Sequence, residues 1–160
     1  MTADLTGSAE AQRHGPRNIE ELQFSLPLQM ALAVLGKGNG FATHRAFLEG
    51  RLPLTGDSDV VQFARRIRLQ RLPELDERYP RNFVADLVVH YRDGTREPLF
   101  RDSAKGMPAA PFTPKEHRAK LDELTREAMG REKARRLFDL VDRLDPTTPI
   151  DELTALLRPG

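Results

Sequence analysis

From Phe83 to Arg101 the chain alternates apolar and polar residues around an Asp93-Gly94 pair, and no other stretch restricts the fold as much. Phe83, Ala85, Leu87, Val89 and Tyr91 interleave with Val84, Asp86, Val88 and His90, a period of two that sends successive side chains to opposite faces of a strand. Asp-Gly is a preferred hairpin turn because both central positions call for positive φ. A return strand is expected over Thr95–Arg101, with Pro98 at an edge or a bulge because it has no N–H to give to a ladder. His90 falls on the outward face beside the turn. Arg66–Leu72 repeats the alternation, with Ile67 and Leu69 on one face and Arg66, Arg68 and Gln70 on the other, which predicts a third strand, Ile67–Arg71, whose arginines face solvent.

The rest of the chain reads as helix. Ser25 is placed to cap a helix through Leu35, with Pro27 tolerated in the first turn because its missing N–H would be unpaired anyway. Leu28, Met30, Ala31, Leu32, Val34 and Leu35 cover almost the whole circumference of that helix, so burial on most sides is expected. Gly36-Lys-Gly-Asn-Gly40 ends it without the spacing of a phosphate-binding loop. Thr43 and Ser58 each precede a short helix, ending at Leu48 and Ala64. Thr113-Pro114-Lys115-Glu116 has the order of a capping box with a first-turn proline, and predicts a helix to about Gly130. Arg131–Leu144 and a last helix after Thr148-Pro149 carry apolar stripes at helical spacing. The expected class is α+β: a small antiparallel sheet of about three strands, helices on one face and a helical carboxy-terminal tail. Residues 1–17 read as a flexible leader, and 18–160 as a single domain.

Composition narrows the chemistry. Twenty-five basic and 24 acidic residues leave a formal charge of +1, so no global field favours nucleic acid or an anionic membrane. The absence of cysteine removes disulfides, thiolate metal sites and iron–sulfur ligation by this chain. The four histidines lie far apart, without metal-ligand spacing. Ser25 has no nucleophile elbow around it. No apolar run reaches the length of a membrane span, and a cytoplasmic protein with no cofactor and no metal is expected.

The succession Gln23-Phe-Ser-Leu-Pro-Leu28, the hairpin Phe83–Thr95, and Lys105-Gly-Met-Pro-Ala-Ala-Pro-Phe-Thr-Pro-Lys-Glu116 resembles the carboxy-terminal part of the MmgE/PrpD family from about Ile19 to Leu157. That family includes 2-methylcitrate dehydratases, cis-aconitate decarboxylases and iminodisuccinate epimerases. The resemblance implies a small lid domain of a cofactor-independent enzyme whose site lies against a large helical domain, which has no counterpart in these residues. It also implies substrate contacts near Gln23, Ser25, Lys105 and Gly106. Many members have tyrosine where this chain has Leu28, and in decarboxylase-like members that tyrosine faces the substrate; Leu28 lacks the hydroxyl. For the Lys105–Pro111 loop, a structural turn between edge strand and helix and a ligand contact both fit.

Two functions follow from the resemblance. One is the lid subunit of a split lyase or isomerase acting on a small di- or tricarboxylic acid, with a separate helical-domain chain as partner. The other is a noncatalytic remnant or binding module that keeps the lid fold. Association with a helical partner or with a second copy is expected through the Leu26–Leu35 helix and the stripe Leu137, Val141, Leu144, because apolar faces left in water usually mark an interface.

Overall fold

A computed structural model describes residues 9–158. In chain order the elements are α1 (Ala9–His14), α2 (Ile19–Gln23), α3 (Leu26–Val34), α4 (Phe41–Leu48), α5 (Asp59–Ala64), α6 (Pro73–Asp76), β1 (Ala85–His90), β2 (Arg96–Arg101), α7 (Pro114–Met129), α8 (Arg131–Asp142) and α9 (Ile150–Leu157). The class is α+β, as the patterning predicts. The chain divides into two compact units, Met1–Glu77 and Arg78–Gly160, where one domain over 18–160 was expected.

The first unit is built on α3. Ser25 is fully buried and its Oγ accepts from the Leu28 N–H at 3.4 Å, closing the first turn. Pro27, Leu28, Ala31 and Leu32 are buried along the helix. They share one core with Leu22, Leu54, Val60, Val61, Ala64 and Ala11. Full burial of each leucine stabilises the fold by about 1.5 to 3 kcal/mol as an upper estimate. Most of the face expected to seek a partner is thus already covered, and of the large apolar side chains on α3 only Leu26 and Val34 are strongly exposed. The helix expected after Thr43 starts earlier, at Phe41, and the Thr43 hydroxyl instead donates to the Lys37 carbonyl at 2.9 Å.

Residues 9–14, assigned above to the leader, form α1, which packs on α5; residues 1–8 of that leader lie outside the described residues. Tertiary contacts override the weak local signal here. Ala11 enters the core, and the Gln12 amide donates to the carbonyls of Ala64 at 2.7 Å and Ile67 at 2.8 Å. These are the orphan acceptors that a helix end leaves. The same bonds explain why the strand expected at Ile67–Arg71 is absent. Arg66 and Ile67 continue the α5 terminus in tight turns, their N–H groups bonding to Phe63 and Ala64, and Ile67 packs against the core. Beyond it, 68–72 has no regular secondary structure, and Arg71 pairs with Asp76 at 2.6 Å.

In the second unit the hairpin pairs Ala85 with Arg101 through His90 with Arg96, antiparallel, as a two-stranded sheet. Gly94 takes φ 87 in the turn, whereas Asp93 does not reach the positive φ expected at both positions: the loop is Arg92-Asp93-Gly94 between the paired Tyr91 and Thr95, and Asp93 caps it by accepting from the Thr95 N–H at 2.9 Å and the Thr95 hydroxyl at 2.7 Å. No residue of either strand is fully buried, so the expected helical cover over one sheet face is not seen. The buried apolar residues of this unit, Ala134, Leu137 and Leu140, belong to α8, which packs on α7 and α9. Leu137 is therefore internal, and of the predicted stripe Val141 and Leu144 remain exposed.

Gly15 gives a sharp test of the α1 attachment. It sits at φ 91, and a Cβ there would lie 1.9 Å from the Leu54 carbonyl oxygen. Gly15→Ala is expected to destabilise the first unit by about 3 kcal/mol, from left-handed strain plus the displacement of Leu54. Urea unfolding followed by circular dichroism checks it, against an expected smaller cost of about 1 to 2 kcal/mol for Gly36→Ala, which shares the left-handed conformation at φ 67 but has open space around it.

Candidate functional site

The residues singled out from sequence fall in both units. Gln23, Ser25 and Leu28 belong to the first, and Lys105 and Gly106 to the second.

Gln23 ends α2 with an exposed side chain. Ser25, two residues on, is 0% exposed and occupied as a helix cap, so its hydroxyl serves the backbone. Leu28 is also 0% exposed. In this unit the position at which a tyrosine hydroxyl is expected is part of the apolar core. Close by, the Gln29 amide donates to the Leu22 carbonyl at 2.9 Å and stands 3.1 Å from His44 Nε2, while His44 Nδ1 lies 2.7 Å from the Gly40 carbonyl. One tautomer satisfies all three contacts: Nδ1–H donating and Nε2 accepting. Sequence spacing gave no sign of this pairing, because Gln29 and His44 lie on different helices.

In the second unit, the Lys105–Glu116 segment is a compact, internally bonded loop. Gly106 lies at φ 94, and an added Cβ would be 2.7 Å from the Phe112 ring, so the backbone passes against the aromatic face where only glycine fits. The Gly106 N–H donates to the Ala110 carbonyl at 2.7 Å, and the Ala110 N–H to the Met107 carbonyl at 2.8 Å. Lys120 Nζ stands 5.2 Å from the centre of the same ring, a cation–π contact. The Thr113–Glu116 capping box closes the end of the loop: the Glu116 carboxylate accepts from the Thr113 N–H at 2.8 Å and its hydroxyl at 2.7 Å, and the Glu116 N–H donates to Thr113 Oγ1 at 3.3 Å.

Lys105 joins this box, with Nζ 2.9 Å from Glu116 Oε2. The Glu116 carboxyl is pulled down to about 2, first by the Thr113 backbone N–H, then by the Thr113 hydroxyl, then by Lys105. It therefore stays anionic at neutral pH and neutralises the lysine. A carboxylate ligand reaching for Lys105 meets an ammonium whose charge Glu116 already offsets, though only one of its three donors is engaged there.

The sequence reading missed the other end of this segment. Asp102 accepts from Asn82 Nδ2 at 3.0 Å and pairs with Arg78, whose guanidinium also lies 5.8 Å from the Phe100 ring centre. The Ser103 hydroxyl is buried without a hydrogen-bond partner. A separate open groove of about 1080 Å³ is lined mainly by α8, α9 and the residues flanking α8, among them Arg131, Arg136, Asp139, Arg143 and Glu152; its charges are mixed in sign. Among the described residues, no three His, Asp or Glu side chains gather as a metal site, and no helix is long and apolar enough to cross a membrane.

The α+β chain, with its hairpin, glycine-proline loop and capping-box helix, matches the MmgE/PrpD C-terminal domain over residues 2–146, and it belongs to that family. No curated protein matches it.

The loop geometry fixes a pH response. A carboxyl whose folded pKa is lowered contributes stability above its unfolded value near 4.5, and that contribution is lost as pH falls toward 2. Lys105→Ala and Thr113→Val are each expected to raise the Glu116 pKa part of the way back, because each removes a group that holds the carboxylate in its anionic form. Carboxyl-carbon NMR titration reads both, and an unmoved Glu116 in Thr113→Val contradicts the assignment.

Proposed function

We propose that this chain acts as the lid-domain subunit of a lyase or isomerase on a small di- or tricarboxylic acid, of the 2-methylcitrate dehydratase type. In this reading a helical-domain protein of the same family supplies the acid/base groups. The observation that carries the reading is the family match across residues 2–146. Removing water or carbon dioxide from a tricarboxylate requires a proton donor or acceptor at the reacting carbon and several groups to hold the carboxylates. The lid's share is to cover the substrate and exclude water. Lys105 is a candidate polar contact to the substrate, with donors beyond the one that Glu116 engages.

A second reading has specific support. Leu28 is buried and Lys105 is already neutralised, which suits a noncatalytic module that retains the lid fold.

One experiment separates them. The chain alone is expected to give no turnover of 2-methylcitrate, citrate or cis-aconitate above the buffer rate. Mixed with a helical-domain partner of the family, it is expected to give turnover that Lys105→Ala reduces about tenfold or more, the scale of one lost charge-assisted contact. Binding to the partner without turnover favours the noncatalytic module. Turnover by the chain alone, abolished by a point substitution within it, defeats both readings.

A further inference from the structure

The two edges of the hairpin differ, and the difference singles out one of them. The Tyr91 N–H donates to the Thr95 carbonyl at 3.0 Å, so this pair is a hydrogen-bonded one. Antiparallel ladders alternate hydrogen-bonded with non-bonded pairs. With the register Val89 to Glu97, Val88 to Pro98 and Leu87 to Leu99, Ala85, Leu87 and Val89 exchange bonds with β2. Asp86, Val88 and His90 then point their N–H and C=O groups away from it, and so do Arg96, Pro98 and Phe100 on β2. Pro98 sits at the centre of the outer β2 edge and has no donor, which blunts that edge. The outer β1 edge keeps its three donors and three acceptors.

The β1 edge is also self-complementary. In an antiparallel pairing of two copies about a twofold axis at Val88, Val88 of one copy faces Val88 of the other, and Asp86 faces His90 in both directions. The ladder joins residues whose groups all point outward, so each facing pair is hydrogen-bonded. On the opposite face Leu87 comes beside Val89 of the second copy. The apolar side chains left in water fit this use: Val88 and Phe100 are each 47% exposed on one face, and Leu99 is 38% exposed on the other. A two-stranded sheet is marginal in water, whereas a four-stranded sheet with apolar faces is not.

The geometry points to the outer edge of β1 as a homodimer interface, in which two hairpins join edge to edge into one four-stranded antiparallel sheet. This interface is independent of the catalytic reading and uses neither α3 nor the Val141–Leu144 stripe. It belongs to the isologous kind, with the same residues contributed by both copies.

Sedimentation equilibrium of the full chain over a wide concentration range tests it, with three variants. The wild-type chain is expected to dimerise. Val88→Pro removes one outward donor and leaves the β1–β2 ladder intact, and Asp86→Lys sets a cation against His90; each is expected to weaken association by about tenfold or more. The exchange Asp86→His with His90→Asp keeps a carboxylate facing an imidazole in both directions and is expected to retain the dimer, which a merely structural role for either residue would not produce. It also keeps the test decisive if Val88→Pro fails to fold. Because the chain has no cysteine, Val88→Cys is expected to form an intermolecular disulfide on oxidation, and Glu97→Cys, on the inner strand pairing, is not. A monomer at all concentrations, a dimer indifferent to Asp86→Lys, or amide protection of Asp86, Val88 and His90 in a monomer would overturn the proposal. The last result would mean that another segment of the same chain occupies the edge.

Discussion

The first unit depends on the burial of Leu28 and Leu32 in one core with Leu22, Val60, Val61 and Ala64. α3 is a short helix, and short helices are marginal unless an apolar face is packed. Here Pro27, Leu28, Ala31 and Leu32 pack that face, and the packing determines what else the segment can do. Ser25 is committed to starting the helix, Leu28 to filling the core, and Gln29 to joining the Leu22 carbonyl with His44. α1 completes the arrangement by donating from Gln12 to the open end of α5.

The second unit achieves its order by different means. Its helices bury only Ala134, Leu137 and Leu140, and its connections rely on directed polar contacts. Arg118 spans from α7 to Asp139 and Asp142 on α8 and lies 5.7 Å from the Phe138 ring centre. Lys105, Thr113 and Glu116 tie the loop to the start of α7. Exposed ion pairs each contribute little on their own; the capping box and the glycine packed on Phe112 fix the loop geometry. That arrangement accounts for Lys105-Gly106 structurally, with no ligand required.

Local chemistry in the sequence marked the features that depend on neighbours in the chain. The capping box at Thr113, the positive φ of Gly94 and the cap at Ser25 each arise within a few residues, and each is present; the burial expected around most of α3 is confined to Pro27, Leu28, Ala31 and Leu32, with Leu26 and Val34 exposed. Features decided at a distance were misread. Ile67–Arg71 has a strand's alternation, but Gln12, more than fifty residues earlier, draws the Ile67 carbonyl into the end of α5. Ala9–His14 has too little periodicity to announce a helix, and owes its place to Ala11 in the core. Leu137 reads as one residue of an outward stripe until α8 is packed between α7 and α9. For the site, residue types were legible while their roles were not: burial of Ser25 and Leu28 and the engagement of Lys105 by Glu116 follow only from the packed arrangement.

The central claim is that position 28 serves the core and not a substrate. It is tested most directly by the unfolding free energy of Leu28→Tyr, measured with and without citrate or cis-aconitate. A ring and hydroxyl forced into a filled site are expected to cost about 1 to 3 kcal/mol, with no difference between the two conditions. Undiminished stability, with added stabilisation by the tricarboxylate, would show that the side chain reaches a ligand and would contradict the account.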